Sequence, residues 1–354
     1  MIKNISIDLI YQPFIDHPPY SPDQLQNFAT SNDKQTVEHW RDKWVSFYEN
    51  NHKAFGPFGD RAVGKLANIN QYKPAIVIGS GPSLQESLSG LRKNQELQKP
   101  LLTISCLHNF GYFQDEDIKI DYYLSLDSGD SVLKDIFEGR KQQDYWDKTK
   151  GQKLLAYVGS PPELLSKWQG EIYFFNLMTP DEKIQKAHES IEKFTNYVSC
   201  GGNALGACMY IAKCIMGSPT IMYVGADFCF GYDNVFHSYK TGYDETGKGG
   251  WILTPDVYGI PRKTWQSYLN FKYWFDKQAM TIPGEWISCS FGTLGAYLGG
   301  NLRHYKYMPL EIALVPYINT EKVEVIDYLQ NKKFDLDVRE FYNNPKHDTN
   351  VVFF

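Results

Sequence analysis

Ala75-Ile-Val-Ile-Gly-Ser-Gly-Pro-Ser-Leu84 is the stretch whose reading decides the fold. Its first four residues form an apolar, β-branched run of the length of a buried strand. The run breaks at Gly79-Ser80-Gly81, and Pro82 follows where a helix would begin; proline suits a first turn because the N–H it lacks would have no intrahelical partner. Strand, glycine turn and helix start are how an α/β protein presents backbone N–H groups and a positive dipole end to a phosphate. Gly79 and Gly81 would let the backbone approach a bulky anion, Ser80 sits between them, and Ser83 adds a hydroxyl donor. The third glycine of a dinucleotide fingerprint is absent, with Leu84 in its place, and no Gly-Lys-Ser/Thr of a P-loop follows. On this segment alone an ordinary tight strand-to-helix turn is the competing reading.

Outward from this turn, short apolar runs alternate with helical patterns from about 73 to 310. They predict strands at 75–78, 101–106, 122–126, 154–158, 172–176, 220–224 and 286–289 in a doubly wound, mostly parallel, Rossmann-like α/β sheet. The runs at 75–78 and 220–224 have no polar alternation, which places both at the centre of the sheet. Residues 1–72 read as an N-terminal extension: a strand-like opening, a Pro-rich turn over 17–22, and an amphipathic helix capped near Ser31-Asn-Asp33 that runs to about Asn51. Residues 73–312 are expected to form one Rossmann-like, nucleotide-binding domain, and 313–354 a short C-terminal extension with a helix near Lys322–Gln330.

Composition narrows the class. A chain of 354 residues holds one large or two modest domains. Charged residues at 22% and a net charge of −5 describe a soluble globular protein without the basic excess that nucleic acid requires. The N-terminus lacks the apolar core of a signal peptide and no stretch approaches the span of a bilayer, so the expected compartment is the cytoplasm. Cys106, Cys200, Cys208, Cys214, Cys229 and Cys289 contain no C-x-x-C pair and several lie in apolar runs. That pattern favours free thiols in a reducing compartment over disulfides or zinc.

The chemistry-bearing residues follow the strands, where open α/β sheets bind ligands. Tyr122-Tyr-Leu-Ser-Leu-Asp127 and Ile221-Met-Tyr-Val-Gly-Ala-Asp227 both end in an aspartate. A carboxylate there binds a ribose hydroxyl, holds Mg²⁺, or caps the following turn. A second glycine cluster, Ser199-Cys-Gly-Gly-Asn203, precedes a helix with small residues at 204, 207, 208 and 212. Gly201, Gly202 and Asn203 supply backbone donors and an amide, a second anion or base-reading site. Phe236-His-Ser-Tyr-Lys-Thr241 puts His237 in a polar loop beyond a strand end and makes it the leading general-base candidate. His108, in Cys106-Leu-His-Asn109, is the runner-up.

Taken together, Gly79-Ser-Gly-Pro-Ser-Leu84, the strand ending in Asp127, Gly201-Gly-Asn203 and Val224-Gly-Ala-Asp-Phe228 resemble, in order and context, the 6-hydroxymethylpterin diphosphokinase MptE-like family, which includes the motility accessory factor (Maf) proteins. Thr254-Pro-Asp-Val-Tyr-Gly259, Ser290-Phe-Gly-Thr-Leu-Gly-Ala296 and Tyr307-Met-Pro-Leu310 are similar to its closing motifs, so the resemblance covers residues 73–312. The glycine motif and His237-Ser-Tyr-Lys-Thr241 also resemble bacterial sialyltransferases that use CMP-sugars. There the G-x-G-P-S-L turn holds the nucleotide, and the histidine of H-S-x-x-T is the general base.

The resemblance implies three readings. In the first, a sugar-nucleotide glycosyltransferase uses His237 as base, with Gly79, Ser80, Gly81, Pro82, Ser83, Gly201, Gly202 and Asn203 around the nucleotide phosphate and no metal. In the second, a diphosphokinase uses ATP and Mg²⁺ held by Asp127 and Asp227, and acts on a small heterocycle such as 6-hydroxymethylpterin. In the third, the pocket binds nucleotide without catalysis in an assembly role. For the enzyme readings, nucleotide-sugar or ATP is a co-substrate, no cofactor is tightly bound, and the acceptor is a sugar, a protein or a heterocycle.

Overall fold

The computed structural model describes residues 22–318 except 130, 137–140, 142, 179–180, 195, 233–234, 236–250 and 296–303, with side chains from Glu38 onward apart from 131 and 135. The strand-like opening, His237-Ser-Tyr-Lys-Thr241 and the helix expected near Lys322–Gln330 lie outside the described residues.

Strands run in chain order as β1 (Ala75–Ile78), β2 (Leu102–Cys106), β3 (Tyr122–Ser125), β4 (Lys153–Tyr157), β5 (Glu171–Leu177), β6 (Tyr197–Val198), β7 (Thr220–Val224), β8 (Trp251–Pro255), β9 (Pro261–Trp265), β10 (Glu285–Ser288) and β11 (Lys306–Tyr307). Among the described residues, nine of them form one sheet in the order β11-β10-β7-β1-β2-β3-β4-β5-β6. Every pairing in it is parallel. Helices connect the strands, which makes this the doubly wound α/β architecture expected, and all seven predicted strands are present. β1 pairs with β2 through Ala75↔Leu102 and with β7 through Ala75↔Ile221. Each residue of β1 and β7 is buried, because both faces of a central parallel strand are covered and only a continuous apolar run fits there. The chain winds outward from β1 to β6, then returns to the other side of β1 with β7. This reversal creates a switch point between β1 and β7, the place where such sheets open a crevice.

Two features depart from the expectation. The N-terminal helix spans Pro22–Phe55, so Ser31-Asn-Asp33 lies inside it rather than at its start. Its C-terminal half joins the core: Asn51 Nδ2 donates to Val158 O at 2.8 Å and Ser160 O at 2.9 Å, and the Tyr48 ring stacks on His188 at 4.7 Å. The segment Thr254–Gly259 belongs to an antiparallel hairpin, β8 with β9, registered from Trp251↔Trp265 to Pro255↔Pro261. Asp256 shapes its turn by accepting the Tyr258 and Ile260 N–H groups and holds the buried Arg262 Nε at 2.8 Å.

Residues through Leu314 make one compact unit. Of the second, Val315–Phe354, the short helix Val315–Ile318 is described. The six cysteines are free thiols, four of them buried. No described helix is long and apolar enough to cross a membrane.

Candidate functional site

A cleft of about 250 Å³ opens at the carboxyl ends of β1, β2, β3 and β7. Both glycine turns found in the sequence reach it: Gly79, Ser80 and Gly81 from one side, Gly202 and Asn203 from the other.

The turn after β1 is built against the turn after β7. Gly79 N–H donates to Val224 O at 2.8 Å and Gly81 N–H to Gly225 O at 2.9 Å. Gly225 takes the left-handed conformation, φ +60°, that favours glycine. A Cβ on Gly79 would meet Gly225 O; one on Gly81 would meet the Asp227 carboxylate and lie 2.8 Å from Gly225 O. Gly81 itself is extended, φ −67°. The glycines are therefore required by the interlocking of two strand ends, a different reason from the ligand approach that the sequence suggested.

Ser83 and Asp227 hold that joint. Ser83 N–H and Oγ–H both donate to Asp227 Oδ2 at 2.9 Å, and Gly292 N–H donates to Oδ1 at 3.1 Å. The Asp227 carbonyl accepts from Thr293 N–H at 2.7 Å and from its hydroxyl at 3.0 Å. Burial pushes the Asp227 carboxyl up to about 6, against the opposing pull of the Ser83 and Gly292 hydrogen bonds. The Ser83 hydroxyl thus faces Asp227, not a ligand, and Pro82, Ser83 and Gly201 are absent from the cleft lining. The Mg²⁺ pair expected from Asp127 and Asp227 does not fit this geometry. Both Asp227 oxygens are engaged by Ser83 and Gly292 in a buried joint.

The wall offers backbone N–H groups. Those of Ser80, Gly202, Ala204 and Leu205 have no partner among the described residues, and all four residues line the cleft. The last two open the helix Ala204–Tyr210, which continues into a π-helical turn, Ile211–Ile215. Asn203 caps it, its Oδ1 accepting the Gly206 N–H at 2.8 Å. An anion in the cleft would meet N–H donors from two turns and the positive end of a helix dipole.

Two titratable groups complete the floor. His108 Nε2 lies 4.0 Å from Asp127 Oδ2, with the histidine half-buried and the carboxylate exposed. The turn Leu107–Asn109 positions His108, and Asn109 Nδ2 donates to Gly79 O at 2.9 Å, so the histidine and the glycine turn are tied together. The leading base candidate, His237, falls outside the described residues.

Tyr268 and Phe271, from the helix Gln266–Thr281, also line the cleft. Sequence reasoning did not single them out. Their signal was a ring every third residue, Tyr268-x-x-Phe271-x-x-Trp274, which reads equally as packing.

The chain belongs to the 6-hydroxymethylpterin diphosphokinase MptE-like family, whose model matches residues 46–233. The match begins inside the N-terminal helix, earlier than the 73–312 covered by the motifs, and ends at 233, before the segments at 254–259, 290–296 and 307–310. Among solved structures, the chain is similar to the MAf glycosyltransferase from Magnetospirillum magneticum AMB-1, with a TM-score of 0.53 and 12% identity over 81% of this chain and 42% of that one. At that identity the likeness is one of fold, and the chain spans less than half of the neighbour's length. Curated protein sequences give no match.

Proposed function

We propose that the protein is a nucleotide-dependent transferase that seats the donor's phosphate in this cleft, and that the group it transfers is a glycosyl group from a sugar nucleotide. The observation that carries this is the set of N–H groups of Ser80, Gly202, Ala204 and Leu205, which belong to residues lining the switch-point cleft and have no partners among the described residues. In this reading an acceptor hydroxyl attacks the anomeric carbon, the bond from that carbon to the phosphate oxygen breaks, and the N–H groups stabilise the charge left on the nucleotide phosphate. The hydroxyl's proton passes to a histidine. His237 takes that role by its H-S-x-x-T context, and His108 beside Asp127 is the alternative base. Family membership and the fold of the glycosyltransferase neighbour support a transferase.

The test is a thermal-shift panel of CMP, CDP, UDP, GDP, ADP and ATP, with and without Mg²⁺. The cognate nucleotide at 100 times its Kd raises unfolding free energy by about 2.7 kcal/mol. Stabilisation by ATP alone, dependent on Mg²⁺, would replace glycosyl transfer with the diphosphokinase reading that the family's description favours. With the donor known, His237→Ala is expected to lower turnover ~10²–10⁴-fold at unchanged affinity. The same loss confined to His108→Ala moves the base to His108.

A further inference from the structure

The helix Gln266–Thr281 presents Tyr268, Phe271 and Trp274 at steps of three residues. Trp274 packs on Gly201 so closely that a Cβ there would strike the indole. This contact fixes the helix against the turn whose following residues, Gly202 to Leu205, line the cleft; the N–H groups of Gly202, Ala204 and Leu205 have no partner among the described residues. A three-residue step advances ~4.5 Å along a helix, so Phe271 and Tyr268 stand successive steps beyond the Trp274 anchor, and both reach the cleft. Both rings are half-buried. Their centroids are 5.6 Å apart and their planes 83° apart, a corner that offers a face and an edge. Trp265 stacks on Tyr268 at 5.3 Å and backs the corner. The cleft thus has a polar wall of N–H donors and, on the helix pinned to that wall, an aromatic corner that hydrogen bonding to an anion does not use.

We infer that Tyr268 and Phe271 are a stacking shelf for the planar heteroaromatic ring of the ligand whose phosphate meets those N–H groups. The ring is a nucleobase or a pterin; both present a π-face, and the shelf needs nothing more specific. The inference rests on the transferase reading of the cleft.

Calorimetric titration of the full chain tests it, with CMP, with ATP and Mg²⁺, with 6-hydroxymethylpterin, and with pyrophosphate as the ring-free probe. The variants are Phe271→Ala, Phe271→Leu, which keeps apolar bulk without a π-face, and Phe271→Trp. Losing a stacked ring weakens binding about tenfold to a hundredfold. The expected result is that loss in the Ala and Leu variants for the ring-bearing ligand, near-normal affinity in the Trp variant, and unchanged pyrophosphate affinity in all. Whether CMP, ATP or the pterin is the affected ligand identifies the ring. If Phe271→Ala unfolds, the Leu and Trp pair carries the comparison. Unchanged affinity for the ring-bearing ligand in Phe271→Leu overturns the shelf, as does a wild-type chain that binds pyrophosphate and none of the ring-bearing ligands; either leaves the anion site standing. A wild-type chain that binds neither class overturns the shelf together with the transferase reading.

Discussion

At Gly81, a side chain of any size would displace protein. Its Cβ would press on the Asp227 carboxylate and Gly225 O, both parts of a buried joint with little room to yield. Gly81→Ala is therefore expected to lower stability by ~1–3 kcal/mol, the range for overpacking, and to weaken phosphate binding at the same time. Melting curves and nucleotide titrations on one sample read both. Gly59, with open space around it, is the control, and Gly59→Ala should leave both within experimental error. Asp227 makes a second case. Replacing one oxygen by an amide nitrogen sets a donor against a donor, either at Ser83 or at Gly292. Asp227→Asn should cost ~1–3 kcal/mol for the buried group left unpaired. Asp127→Asn, at an exposed carboxylate, should change stability by less than ~0.5 kcal/mol. Urea unfolding of the two variants side by side separates a structural aspartate from a surface one.

Among the elements, the helix that begins at Ala204 carries much of the site, and Asn203 governs how it begins. Asn203→Ala removes the cap and should cost ~1 kcal/mol. Asn203→Asp keeps the cap and favours the helix dipole, but it sets a negative charge at the proposed anion site. Its expected signature is normal stability with weakened phosphate binding, which melts and titrations distinguish from the Ala variant. The elements also explain what was legible in the sequence. β1 and β7 could be read because a strand covered on both faces must be apolar throughout. The glycine turns could be read as turns. Their reason could not, because it lies in a partner far along the chain: Asp227 for Gly81, and Trp274 for Gly201. β6 and β11, two residues each, are too short to carry a period. The early start of the N-terminal helix was signalled by Ser21-Pro22-Asp23, a helix-start order that the more conspicuous Ser31-Asn-Asp33 obscured.

For the molecule as a whole, the N-terminal helix is held to the sheet partly around His188. This imidazole is buried against Tyr48, its Nε2 3.3 Å from the Tyr157 hydroxyl, and burial pulls its pKa down to about 4. Above pH 6.5 the group is neutral whether the chain is folded or not. Between 6.5 and about 4 the unfolded chain binds a proton that the folded one excludes, so stability falls with pH, by on the order of 3 kcal/mol once complete. Urea midpoints at pH 7 and pH 5 should show the drop, and His188→Phe should flatten it. The switch point has a further consequence, for the order of events when the chain assembles. β1 to β6 add one after another, each beside its predecessor, whereas Ser83 and Asp227 must find each other across 144 positions. Closing so long a loop is slow and comes after nearer pairings. The strand that completes the cleft is thus recruited after much of the sheet it joins, and a refolding chain should regain its sheet circular dichroism before it regains nucleotide binding. On the proposed function, competence is acquired late, and a partly assembled chain has a scaffold without the cleft proposed to grip a phosphate.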